Sequence, residues 1–187
     1  MLLLASTSTA SAADDKPSTS GDTKKTGVGG DLLMTGPVGI LADSTGPLLG
    51  ASLRGGYYVI PQFEGYGRVG YQTGLNTERG GGLSSSLSNI PLVVGGRYFV
   101  MQPYAGLYAN FELAVNLLWA TVSAGNTSVS SDTETRVGAN IGAGYVISPE
   151  LPINLGIQLA LLNLLGGRSG EDTLVGISML AGYEARF

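Results

Sequence analysis

From residue 104 to residue 119 the chain alternates with period two. Ala105, Leu107, Ala109, Phe111, Leu113, Val115, Leu117 and Trp119 are all apolar, and Tyr104, Gly106, Tyr108, Asn110, Glu112 and Asn116 interleave with them. Successive side chains of a strand point to opposite faces, so this run has one greasy face and one mixed polar face. Good helix formers at 109–120 and 159–165 offer a competing helical reading. A helix would carry Asn110, Glu112 and Asn116 around onto the apolar side, and period two decides for strand.

The split recurs along the body. Residues 62–75 set Phe63, Val69, Tyr71 and Leu75 against Gln62, Glu64, Tyr66, Arg68 and Gln72. Residues 136–147 set Val137, Ala139, Ile141, Ala143, Tyr145 and Ile147 against Arg136, Asn140 and three glycines. Residues 153–161 set Ile153, Leu155, Ile157, Leu159 and Leu161 against Asn154, Gly156, Gln158 and Ala160. The last run, 175–187, sets Val175, Ile177, Met179, Ala181, Tyr183, Ala185 and Phe187 against Gly176, Ser178, Gly182, Glu184 and Arg186. Residues 49–59 and 90–100 follow suit, with Arg54 and Arg97 on their smaller or polar faces. A first strand over about residues 32–42 completes eight, although Pro37 removes a ladder donor there and points to an edge or a bulge. Bacterial single-chain barrels have even strand numbers, which favours counting it.

The connections alternate in length. Links at 60–61, 101–103 and 148–150 are tight, whereas those at 76–88, 121–134 and 166–172 are long and rich in Gly, Ser, Thr, Asn and Asp. Only 43–47 is short on the latter side. This is the pattern of an antiparallel up-and-down meander with turns at one end and longer loops at the other. Eight strands then bring both termini to the turn end. The link 121–134 reads as a projecting hairpin or a flexible loop.

Period two does not say whether the apolar face points inward around a ligand or outward at lipid. Three features favour lipid. Charged residues make up only 13% of the chain, and the lysines, Lys16, Lys24 and Lys25, all precede residue 31; a soluble domain uses Lys to solvate its surface. Apolar-face aromatics cluster at strand ends: Tyr57, Phe63, Tyr98, Tyr145, Tyr183 and Phe187 at the turn side, Tyr71 and Trp119 at the loop side. Those are the positions of interfacial girdles. The opposite face holds Arg54, Glu64, Arg68, Arg97, Glu112, Arg136, Glu184 and Arg186. Side chains just fill an eight-stranded barrel, so these charges are expected to pair into a network that plugs the lumen. Isolated burial would cost several kcal/mol each. A gated proton or ion path is the alternative role for the same residues.

The N-terminal segment is different in kind. Residues 1–12 end on Ala10-Ser11-Ala12, an A-x-A cleavage pattern behind a short apolar stretch, and read as a signal peptide truncated of its basic start. Residues 13–30, polar and without periodicity, read as a disordered periplasmic leader, leaving 31–187 as the barrel. No run of about 20 apolar residues offers a transmembrane helix.

With these residues in view, 32–187 resembles the small outer-membrane β-barrel family typified by OmpX and the OmpA transmembrane domain. The final strand, Gly182-Tyr183-Glu184-Ala185-Arg186-Phe187, resembles the C-terminal assembly signal of that class. The resemblance implies an outer-membrane location and recognition of Tyr183 and Phe187 by the barrel-assembly machinery. The leader without a basic start and Pro37 in the first strand depart from the family pattern.

Absences narrow the function. The chain has no Cys and no His, which removes thiol chemistry, the commonest general base and the commonest metal ligand. Glu64 and Glu184 form a conceivable acid–base pair, but their parity places them inside among arginines, so catalysis is not expected. The loop acids Glu78, Asp132, Glu134, Glu171 and Asp172 lack metal-loop spacing, so no metal or cofactor is expected either. A net charge of −4 gives nucleic acid no basic patch to bind. The expected partners are membrane lipid and lipopolysaccharide. The expected function is a non-catalytic eight-stranded barrel with a structural or surface-interaction role. A narrow conduit for small hydrophobic molecules, as the likeness to OmpW-type barrels implies, and a secreted soluble ligand-binding barrel are the alternatives.

Overall fold

In the computed structural model, which describes residues 25–39, 42, 45–75, 77–78, 83–101, 103–165 and 172–187, the alternating segments become strands. They are β1 (Thr26–Val38), β2 (Leu48–Ile60), β3 (Phe63–Gly74), β4 (Thr77–Glu78), β5 (Leu83–Phe99), β6 (Gly106–Ala124), β7 (Thr127–Ser130), β8 (Glu134–Val146), β9 (Ile153–Leu165) and β10 (Val175–Arg186). Eight of them pair antiparallel in the order β1-β2-β3-β5-β6-β8-β9-β10, and β10 pairs back onto β1 from Gly27↔Arg186 to Val38↔Val175. The ring is therefore closed and has no free edge, the condition for a sheet to stand in lipid. At the closing seam Thr26 N donates to Phe187 O at 3.2 Å and Phe187 N to Thr26 O at 2.9 Å.

The expected eight-stranded up-and-down barrel is the fold observed, and the run 109–120 is strand rather than helix. The first strand differs from expectation: it runs Thr26–Val38 rather than 32–42. Gly27, Gly29 and Gly30 mask the alternation there, and the ladders supplied by β2 and β10 decide the start. Residues 26–30, expected in the leader, thus belong to the barrel, while the expected signal peptide and residues 13–24 lie outside the described residues. Pro37 pairs with Gly176 on one side, but the β1–β2 ladder ends at Thr35↔Leu48. Its missing N–H therefore falls beyond the last rung on the β2 side.

Two of the long links are partly sheet. β6 continues to Ala124, turns through Gly125 at a φ of 57° and returns as β7, so the link 121–134 contains a projecting hairpin. β5 already starts at Leu83 and pairs with β6 up to Leu83↔Ala124. With β4 against β5, a four-strand sheet rises above the ring at the loop end. Most of the link 166–172 lies outside the described residues.

Burial follows parity. Phe111, Leu113, Ile141 and Leu155 are 54%, 49%, 61% and 52% exposed, whereas Glu64, Glu112 and Glu184 are 0%, 2% and 1% exposed. The greasy face is outside and the charged face inside, the reverse of a soluble barrel built around an apolar ligand.

Candidate functional site

The interior is the site, and its turn-side half is organised on Glu184. That carboxylate accepts hydrogen bonds at 2.7 Å from Arg54 Nη2, Tyr58 OH and Arg186 Nε, and another from Arg97 Nη2. Arg97 also pairs with Glu64 and donates to Tyr58 OH at 2.9 Å. The residues arrive from β2, β3, β5 and β10, so the cluster ties the two ends of the chain together across the lumen. Aromatic rings close it off. Arg97 lies 5.1 Å from the Phe99 ring centroid and 5.5 Å from Tyr108, and Arg186 lies 5.6 Å from Tyr58 and 5.7 Å from Tyr104. Tyr58, Phe99, Ala105, Tyr108 and Val146, with Tyr104 packed on them, form an apolar cap at the turn end.

Glu112 anchors the middle. It accepts from Arg68 Nη2 at 2.6 Å and from Tyr66 OH and Asn140 Nδ2 at 2.7 Å. Above it, apart from Arg136, the described inward groups are neutral. Asn89 Nδ2 donates to Asn116 at 3.1 Å, Gln72 Nε2 to Thr35 at 3.1 Å, and Asn116 Nδ2 to Leu162 O at 2.9 Å. Ala160 and Leu162, with Leu87 and Leu174 against them, make a second apolar cap at the loop end. A register shift in the β8–β9 ladder between Val137 and Ala139 lets both Leu162 and Asn163 turn inward there.

Arg54, Glu64, Arg97, Glu184 and Arg186 thus meet in one cluster and Arg68 with Glu112 in another. Arg136 stands apart at the loop rim, paired at 2.6 Å with Glu134, whose side chain is 42% exposed. Sequence reasoning missed Asp31, which is 2% exposed and accepts from Asn154 Nδ2 at 3.3 Å. Starting the first strand at Thr26 would have put Asp31 on the inward parity.

Glycine makes room for these acids, a role the sequence reading did not assign. A Cβ on Gly27 would lie 2.9 Å from Glu184 Oε1, and one on Gly95 would lie 2.9 Å from Glu112 Cγ. On Gly56 and Gly182 it would run into the carboxylates of Glu64 and Asp31. Every buried acid among the described residues lies across a glycine on the neighbouring strand. That gives part of the 30 glycines a packing reason.

Two voids among the described interior residues are small, about 10 Å³ beside Arg97 and Glu112 and about 20 Å³ beside Asn89 and Asn116. The large apolar depression, about 850 Å³, lies on the outer wall among Leu32, Met34, Leu155, Ile157 and Met179. The expected girdle residues stand on that wall. Tyr57, Phe63, Tyr71, Tyr98, Tyr145, Tyr183 and Phe187 are 38–71% exposed, and Trp119 is half-buried with its ring centroid 6.2 Å from that of Tyr71.

A family model described as outer membrane protein beta-barrel domain matches residues 1–186. Among solved structures, Neisserial surface protein A is 15% identical, with 87% of this chain and 97% of that one covered at a TM-score of 0.57. The attachment invasion locus protein Ail of Yersinia pestis, in complex with the heparin analogue sucrose octasulfate, is 15% identical over 86% and 97% at 0.55. The N-terminal β-barrel domain of Pseudomonas aeruginosa OprF is 13% identical over 85% and 97% at 0.57. These likenesses concern the fold. No curated protein matches the sequence.

Proposed function

The chain belongs to the outer membrane protein β-barrel domain family, and from that premise we propose that it is a closed, non-catalytic barrel with a structural or surface-interaction role. The sealed interior carries this reading. Ion pairs and amides fill the lumen between an aromatic cap and an aliphatic cap. The two interior voids of about 10 and 20 Å³ each have room for about one water. Neither admits a small hydrophobic solute, which disfavours the conduit alternative. Glu184 and Glu112 are saturated by guanidinium, phenol and amide donors, so neither is available as an acid or base.

In this reading both termini lie in the periplasm and the loop end faces outward, among lipid and lipopolysaccharide. Tyr183 on the closing strand and Phe187 just past its end, 54% and 71% exposed, present the ridge that the assembly machinery would grip. Planar-bilayer recording tests the closed lumen. The expected result is no steady channel after insertion of the folded protein; a stable conductance would overturn it.

A further inference from the structure

Above Trp119 the outward face of the wall changes from apolar to hydroxylic. Within the ring the outward residues of β5 and β6 are mostly apolar, and the inward ones mix Asn89, Arg97, Asn110, Glu112 and Asn116 with Val93, Phe99, Ala114 and Leu118. In the projecting sheet the inward-parity residues are Leu83, Leu87, Ala120, Val122, Ala124 and Val129 together with Ser85 and Thr127, and the outward ones are all hydroxylic. The register aligns them in two rows across three strands, Ser84–Ser123–Ser128 and Ser86–Thr121–Ser130. Thr121 and Ser130 hydroxyls lie 3.0 Å apart, and those of Ser123 and Ser128 2.8 Å apart. Each hydroxyl offers one donor and two acceptor sites, so these pairs keep capacity for a ligand. All six are half-buried or exposed. Strand spacing sets neighbours about 4.8 Å apart within a row and the rows about 7 Å apart. The Tyr71–Trp119 pair stands at the foot of this grid, on the same outward face.

We propose that this outward hydroxyl face, with Tyr71 and Trp119 beneath it, binds the saccharide portion of a glycolipid in the leaflet that surrounds the barrel. The proposal rests on the outward orientation of the loop end. Position selects the occupant: the face continues the lipid-facing wall and looks sideways, just above the aromatic pair that marks the interface. What lies against it is the headgroup layer of the same leaflet. Chemistry selects the sugar. Across β5, β6 and β7 this face carries no charged residue, and the β4 partner of Ser84 is an acid, Glu78, so it matches sugar hydroxyls rather than phosphates, which call for Arg or Lys. Aromatic rings with one wet edge suit a boundary where sugars meet acyl chains.

Trp119 is the only tryptophan in the chain and reports on its own site. The full-length protein, folded in detergent, is titrated with lipooligosaccharide, with lipid A stripped of its core sugars and with free core oligosaccharide. The expected result is a saturable change in Trp119 emission with lipooligosaccharide, weakened about tenfold or more with either of the other two. The variant Ser86→Val/Thr121→Val/Ser123→Val keeps strand propensity and is expected to fold with an unchanged circular dichroism spectrum. It is expected to bind lipooligosaccharide about tenfold more weakly, as the loss of several hydroxyl hydrogen bonds would produce. Equal binding of lipid A, or unchanged binding by the triple variant, overturns the saccharide site. Equal binding of free oligosaccharide overturns the leaflet as its source. The chain has no cysteine, so Asn126→Cys at the exposed hairpin turn, outside both hydroxyl rows, gives on whole cells a single label for an impermeant maleimide. Labelling with unchanged titrations sinks this proposal alone, whereas no labelling sinks the outward orientation as well.

Discussion

In the turn half of the lumen, Arg54, Arg97 and Arg186 converge on Glu184 beneath the rings of Tyr58, Phe99, Tyr104 and Tyr108. In the loop half the inward groups are Thr35, Gln72, Asn89, Asn116 and Ser178, bonded to one another without formal charge. Arg136, the one buried cation there among the described residues, pairs with a half-exposed partner at the rim. The halves share one wall but differ in what a lost partner costs. A charge stranded under the aromatic cap has no water to fall back on, whereas a group at the rim regains solvent. The turn half is therefore the lock that holds the closing strand, and the loop half is free to diversify at the surface.

That contrast can be broken by experiment. Glu184→Ala strips three guanidinium groups of their common acceptor and is expected to cost about 3–5 kcal/mol, read as a lower urea midpoint of the barrel folded in detergent. An unchanged midpoint would erase the distinction between the halves. Gly95→Ala comes next, because the new methyl would meet Phe111 O at 2.7 Å and Glu112 Cγ at 2.9 Å. Overpacking of this kind costs about 1–3 kcal/mol. The control is Gly55→Ala, whose Cβ meets nothing within 4 Å and which is expected to be neutral or stabilising by about 0.5 kcal/mol. Equal effects at both glycines would remove the packing account of the acids. Arg136→Gln should be mildest, about 1 kcal/mol or less, because it leaves behind a carboxylate that water can reach. A midpoint shift as large as that of Glu184→Ala would show that the loop half is locked as well.

Much of this was legible in the residues. Leu113, Ile141 and Leu155 could be set on one face and Glu112, Arg136 and Arg97 on the other, since side-chain direction in a strand depends only on parity. The first strand was legible in part: the glycines around Val28 carry no polarity signal, so Asp31 was overlooked. The bulge that buries both Leu162 and Asn163 was not legible, because it arises from the ladder with β8 rather than from β9 itself.

The final strand shows where the division falls. Alternation alone placed Tyr183 and Phe187 opposite Glu184 and Arg186, and the alternating link lengths brought both termini to one end, because period and connection length are local properties of a chain. Closure decided the rest. Only when β10 pairs with β1 do Arg54 and Arg97, 130 and 87 residues away, reach Glu184, and only then does Gly27 lie beneath it. Contacts between segments so distant in the chain depend on strand register and barrel curvature, which no single segment carries.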